Sequence, residues 1–150
     1  MHRRLVLALA ALALALSSSS PALAIRLPGF RSPSGNIRCL SLPGGPRPDR
    51  LLCTIARAIY ARRLESRCMD TPIALDWHGF LLDAARRGTV NCSGGILYNP
   101  DTQRPRFVTL AYGKRWRQGV FTCWSRVTGV TCRNERGHGL FVARQGWRTW

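Results

Sequence analysis

The stretch Tyr112–Arg144, YGKRWRQGVFTCWSRVTGVTCRNERGHGLFVAR, decides the fold. Val120, Thr122 and Trp124 alternate with Phe121, Cys123 and Ser125, a period of two that sends the two sets to opposite faces of a strand. Val127-Thr128-Gly129 supplies a turn, with Gly129 free to take positive φ, and Val130-Thr131-Cys132 begins the return strand. A turn centred between Val127 and Thr128 sets Cys123 opposite Cys132 and Trp124 opposite Thr131. Opposed residues of a non-hydrogen-bonded antiparallel pair lie roughly 4.5 Å apart at Cα, within reach of a disulfide. The stretch therefore predicts a hairpin pinned by Cys123–Cys132, then a Gly137-His138-Gly139 turn into a last strand, Leu140–Ala143.

The hairpin logic extends to the other cysteines. Strand-like Ile37–Leu42 and Leu51–Ile55 flank a Pro- and Gly-rich loop, 43–49, that no strand could contain. Cys39 and Cys53 then face one another, and Cys68 and Cys92 remain. Three sequential disulfides, Cys39–Cys53, Cys68–Cys92 and Cys123–Cys132, are the favoured pairing among the many that six cysteines allow. A zinc site would need closely spaced thiolates such as C-x2-C, and none occurs, so no metal and no cofactor is expected.

An even cysteine count fits an oxidising compartment, and the start of the chain agrees. His2, Arg3 and Arg4 precede the apolar run Leu5–Leu16, and Ala22-Leu23-Ala24 reads as a cleavage site. The run is shorter than the about 20 residues that span a bilayer. Residues 1–24 are thus expected to be a cleaved signal peptide, with 25–150 a single disulfide-bonded β domain exported to the periplasm or outside the cell, and no stable membrane span in it.

Within that domain the reading is mainly β: a small antiparallel β-sandwich or open barrel of hairpins, with at most one short helix. Phe30–Asn36 reads as a turn-rich lead-in. Ala56–Arg67 carries a loose helical stripe of Ile59 and Leu64 without a convincing cap at either end. Asp76–Leu82 and Thr89–Cys92 read as strands, Ser93–Pro105 as loop, Phe107–Tyr112 as a strand and Gly113–Gly119 as a basic turn. Gly35–Ser41 and Gly119–Ser125 echo one another, each with a second cysteine after its turn.

The motifs F-x-S-P-S-G-N-I-x-C (Phe30–Cys39), D-W-x-G (Asp76–Gly79), Ala111-Tyr112-Gly113 and G-x-F-x-C-x-S-x-x-x-G-V-T-C-R-N-x-x-G-H-G-L-F-x-x-x-R (Gly119–Arg144) resemble a family of small exported bacterial proteins catalogued only as a domain of unknown function. The resemblance implies a secreted, cysteine-paired domain and no known activity. One departure stands out. Gly-Asp-Thr is expected soon after the fourth cysteine, but Ser93-Gly94-Gly95 follows Cys92 and the Asp-Thr pair comes only at Asp101-Thr102.

Charge is the main functional lead. Without Arg3 and Arg4, 21 basic residues face seven acidic ones, a net of +14, and Lys114 is the only lysine. Such a balance favours an anionic polymer or an envelope surface as partner, although an arginine-over-lysine bias also follows from GC-rich codons. Arginine and tryptophan interleave at Arg115, Trp116, Arg117 and Trp124-Ser125-Arg126, with Arg133, Arg136 and His138 following. Guanidinium groups and indole faces together can hold phosphates and stack on bases or sugars. The expected binding set is Arg115, Trp116, Arg117, Arg126, Arg133, Arg136 and His138, on a non-enzymatic domain.

Two alternatives remain. His138 and His78 could share acid–base work in a small secreted ribonuclease, given geometry that brings them together. Trp147 and Trp150 could instead mark a protein-binding or inhibitory surface.

Overall fold

The computed structural model describes residues 24–150; the leader read at 1–24 otherwise lies outside the described residues. The elements, in order, are β1 (Ile25–Arg31), β2 (Ile37–Leu42), β3 (Arg50–Ile55), α1 (Ala61–Met69), β4 (Asp76–Asp83), β5 (Gly88–Ser93), β6 (Gln103–Thr109), β7 (Arg115–Gln118), β8 (Phe121–Arg126), β9 (Gly129–Asn134), β10 (Gly139–Val142) and β11 (Trp147–Thr149). They form a six-stranded sheet, β5-β4-β3-β2-β1-β6, and a five-stranded sheet, β11-β10-β9-β8-β7. One core joins the two sheets: Phe30, Leu51, Phe80 and Leu82 from the first meet Phe121, Val130, Leu140 and Val142 from the second. The architecture is mainly β, as the alternation predicts, and of the two closures expected it takes the sandwich.

The decisive hairpin has the expected register. Cys123 pairs with Cys132, Trp124 with Thr131 and Arg126 with Gly129, leaving Val127 and Thr128 as the two-residue turn. Cys39 likewise opposes Cys53 across β2 and β3. All three sequential disulfides are formed, and among the described residues no cysteine is free. Cys68–Cys92 ties α1 to β5, and Leu64 and Cys68, one helical turn apart, are the buried residues of that helix.

Several boundaries differ from the sequence reading, each for an identifiable reason. β1 runs Ile25–Arg31, so the turn-rich lead-in expected at Phe30–Asn36 is confined to the connection between β1 and β2. Gly29 is needed in β1 because a Cβ would lie 2.6 Å from the Cys39 carbonyl oxygen. β6 runs Gln103–Thr109 through Pro105 and pairs with β1 in parallel, the one departure from antiparallel order among the described residues. It is an edge strand, where a proline costs no ladder bond on its open side. The basic turn at Gly113–Gly119 is instead strand β7 plus a tight turn, with Gln118 opposite Phe121. The helix starts at Ala61 rather than Ala56 because the preceding backbone is engaged elsewhere. Ala56 N–H donates to the Asn36 carbonyl (2.8 Å) and Ile59 N–H to the Arg144 carbonyl (3.0 Å). Ile59 is accordingly exposed. Finally, β10 is followed by a further strand, β11, whose Trp147 ring packs 5.3 Å from Phe80.

The outer face of the six-stranded sheet carries a smaller cluster, Leu27, Leu40, Leu42 and Leu52, covered by Leu97, Tyr98 and Phe107. Beside it β4 is irregular between Trp77 and Phe80. Gly79 there has φ 94°, and a Cβ would come 2.3 Å from the Cys53 carbonyl oxygen. Gly79→Ala should therefore cost about 3 kcal/mol from left-handed strain plus overpacking, read in thermal denaturation as a Tm roughly 10 °C lower. Gly146→Ala, which meets nothing within 4 Å, should stay within about 0.5 kcal/mol of the parent.

Candidate functional site

Register fixes which side chains leave the core. Directly opposed residues share a face, so the outward set of the five-stranded sheet is Arg115 and Arg117 on β7, Thr122, Trp124 and Arg126 on β8, Thr131 and Arg133 on β9, Phe141 on β10, and Arg148 on β11, with Trp150 just beyond. Five of these are arginines and none is acidic. Trp124, Arg126, Thr131, Arg133, Arg148 and Trp150 line a shallow depression of about 340 Å³.

Trp150 is the fixed point of this face. The Arg148 guanidinium carbon lies 5.1 Å from its ring centroid and that of Arg133 5.8 Å, within cation–π range. Its indole N–H donates to the Gly137 carbonyl at 3.0 Å. Its backbone N–H donates to the Gly139 carbonyl (3.0 Å), and Gly139 N–H donates back to the Trp150 carbonyl (2.9 Å). Gly139 leaves the room: a Cβ there would meet the indole ring at 2.5 Å. Asn134, buried, holds the turn below. Its amide donates to the Asp83 and Arg86 carbonyls (2.9 and 3.1 Å), while its Oδ1 accepts from Arg136 N–H and His138 N–H (both 3.0 Å). The Gly-His-Gly segment is thus a turn that seats a tryptophan.

Of the residues expected to bind, Arg115, Arg117, Arg126 and Arg133 share the face. Trp116 points the opposite way and packs on Phe30, ring centroids 5.1 Å apart. Arg136 and His138 sit in the β9–β10 turn at the edge of the face, with their backbone N–H groups on Asn134. The sequence reading missed Arg148 and Trp150 as members, and left Trp124 outside the set. Trp147-Arg148-Thr149-Trp150 alternates like any strand, and that alternation was the available signal.

His78 stands elsewhere. It lines an apolar groove of about 230 Å³ with Leu40, Leu52, Leu97, Tyr98 and Phe107 on the six-stranded sheet. Its Nε2 is buried without a hydrogen-bond partner. His78 lies on β4 of the six-stranded sheet and His138 in the β9–β10 turn, and they share no lining residue or hydrogen-bond partner.

The sulfurs of Cys39, Cys53 and Cys132 lie within 4.8 Å of one another. All three are spent in disulfides, so they offer no thiolate to a metal.

Residues 7–148 match the family described as Family of unknown function (DUF6636). The chain belongs to DUF6636. No curated protein and no solved structure matches it. The resemblance to a family without an assigned activity therefore holds over nearly the whole chain. No helix among the described residues is long and apolar enough to cross a membrane.

Tyr60 holds one end of the sandwich. Its hydroxyl donates to the Ala143 carbonyl at 3.0 Å. Burial pushes its pKa from 10.0 up to about 12, because the phenolate would be poorly solvated there. The folded state then keeps a proton that the unfolded state releases near pH 10. The associated stability is complete below pH 10 and is lost as pH rises toward 12. Tyr60→Phe should remove that part of the alkaline loss. At neutral pH it should cost about 1–2 kcal/mol by leaving the carbonyl without its donor. Urea denaturation at pH 8 and pH 11 checks both.

Proposed function

We propose that the protein is an exported, non-enzymatic binding domain that holds an anionic polymer on the outer face of its five-stranded sheet. The observation that carries this is the composition of that face: five arginines with Trp124, Phe141 and Trp150, and no acidic residue at any outward position. Guanidinium groups neutralise phosphate, sulfate or carboxylate, and flat aromatic rings stack on bases or sugars. Trp150 is held before any ligand arrives, so little side-chain entropy is left to lose on binding.

Export is part of the proposal. Residues 1–24 have the layout of a cleaved signal peptide, with 25–150 as the mature domain in the periplasm or outside the cell. Three disulfides suit an oxidising compartment. The ribonuclease alternative needs His138 and His78 to act on one phosphate, and with His78 in the groove of the six-stranded sheet and His138 in the β9–β10 turn it gains no support.

Fluorescently labelled single-stranded RNA, read by anisotropy across a salt series, tests the proposal. Affinity should fall steeply with salt, with log K against log salt sloping by about −0.7 per phosphate contacted. The double variant Arg133→Gln/Arg148→Gln should flatten that slope by about 1.4, the share of two contacts. Trp150→Ala should weaken binding by about 1–3 kcal/mol. The RNA should remain intact on a gel. Salt-independent binding, or cleavage lost in His138→Ala, would sink the reading.

A further inference from the structure

A second cleft, about 390 Å³, opens at the end of the sandwich where five connections converge. Ser32 comes from the β1–β2 turn, Arg57 from the exit of β3, Tyr112 from the exit of β6, Arg126 from the end of β8 with Thr128 from the turn after it, and Arg144 from the β10–β11 turn. No acidic residue lines it. Three guanidinium groups gathered without a carboxylate repel one another, a cost that an anion between them would offset.

The cleft is also built. Asn36 grips the Arg57 backbone from both sides: Arg57 N–H donates to its Oδ1 (2.8 Å), and its Nδ2 donates to the Arg57 carbonyl (3.1 Å). The Arg144 turn is held by Ile59 N–H on the Arg144 carbonyl (3.0 Å) and by the Tyr60 hydroxyl on the Ala143 carbonyl (3.0 Å). Tyr112 is fixed through Gly113 N–H, which donates to the Ser125 carbonyl at 2.8 Å. The arginines thus start from anchored backbone, and their planar forks match oxyanion geometry from several sides.

We propose that this cleft binds a phosphate or sulfate monoester carried on a sugar-sized group. The oxyanion would sit among Arg57, Arg126 and Arg144, within reach of the Ser32 and Thr128 hydroxyls. The volume falls at the lower end of the roughly 300–1,000 Å³ of small-molecule sites, larger than a lone oxyanion fills. Tyr112 and Val127, both exposed at the rim, offer an apolar surface to the attached ring. The site shares only Arg126 with the tryptophan face and does not depend on the polymer reading.

Backbone amide NMR of the oxidised domain tests it, with glucose 6-phosphate, glucose 6-sulfate, inorganic phosphate, glucose and sodium chloride as probes at matched ionic strength. Either ester should move the amides of Asn36, Arg57, Thr128 and Arg144 saturably, and more tightly than inorganic phosphate, while glucose and chloride leave them in place. Whichever ester binds more tightly identifies the oxyanion. Arg57→Gln and Arg144→Gln should each weaken ester binding by about tenfold, the loss of one charge-assisted contact. Arg133→Gln/Arg148→Gln should leave ester binding unchanged, so failure here is distinct from failure on the sheet face. Ester shifts no larger than those of chloride, or shifts retained in Arg57→Gln/Arg144→Gln, would overturn the site. Equal affinity for ester and inorganic phosphate would overturn the sugar-sized ligand.

Discussion

Two disulfides meet at the centre of the sandwich, and the rest of the structure depends on them. Cys39–Cys53 crosslinks opposed residues of one sheet and Cys123–Cys132 opposed residues of the other, with Cα separations of 4.1 and 4.0 Å. Their sulfurs pack against each other inside the core. A strand slipped by one residue exposes its whole buried set. A crosslink between directly opposed residues forbids that slip in both central hairpins. The echo between Gly35–Ser41 and Gly119–Ser125 is the sequence trace of this device. In both copies the residue two past the cysteine is a buried serine, Ser41 and Ser125.

Pinned register has a consequence at the surface. With Cys123 and Cys132 turned inward, Thr122, Trp124, Arg126, Thr131 and Arg133 must turn outward, and their neighbours on β7 and β11 follow through the ladder. The charged face is therefore the back of the core: the same alternation that buries Phe121 and Leu140 presents the arginines. What the register alone does not set is the Trp150 ring. That needs an absent side chain at Gly139 and the turn held by Asn134, whose four hydrogen bonds also join the five-stranded sheet to the β4–β5 connection.

Legibility in the sequence tracked how local the controlling interaction was. The hairpins could be read because cysteine spacing, turn residues and alternation all lie within about a dozen residues. β1 and the first half of β6 could not, since each contains a proline and they pair with one another in parallel across more than seventy residues, whereas Phe107–Thr109 falls within the strand read from alternation. The helix start was misplaced because Asn36 and Arg144, remote in sequence, take the backbone groups of residues 56–59. At the site, Arg115, Arg117, Arg126 and Arg133 share one face of the sheet, while Trp116, in a segment whose composition reads as a turn, lies on the other face against Phe30. The cleft at the sandwich end left no sequence signal, since its three arginines come from segments far apart in the chain.

Charge distribution bears on whether the arginines reflect codon usage alone. Such a bias explains many arginines and few lysines, but it does not say where acids should be missing. Residues 112–150 carry eight basic residues and one acidic one, Glu135, which sits in the β9–β10 turn rather than on the sheet. The other six acids fall in the part of the chain that builds α1, the six-stranded sheet and its connections. Half of the excess positive charge of residues 25–150 is thus confined to the last 39 of them. Gathering like charge on one sheet works against compaction through self-repulsion, and nothing in the packing requires it, because those side chains leave the core. A surface that keeps cations without pairing them, beside aromatic rings already held in place, is physically economical when an anion spends part of its time there.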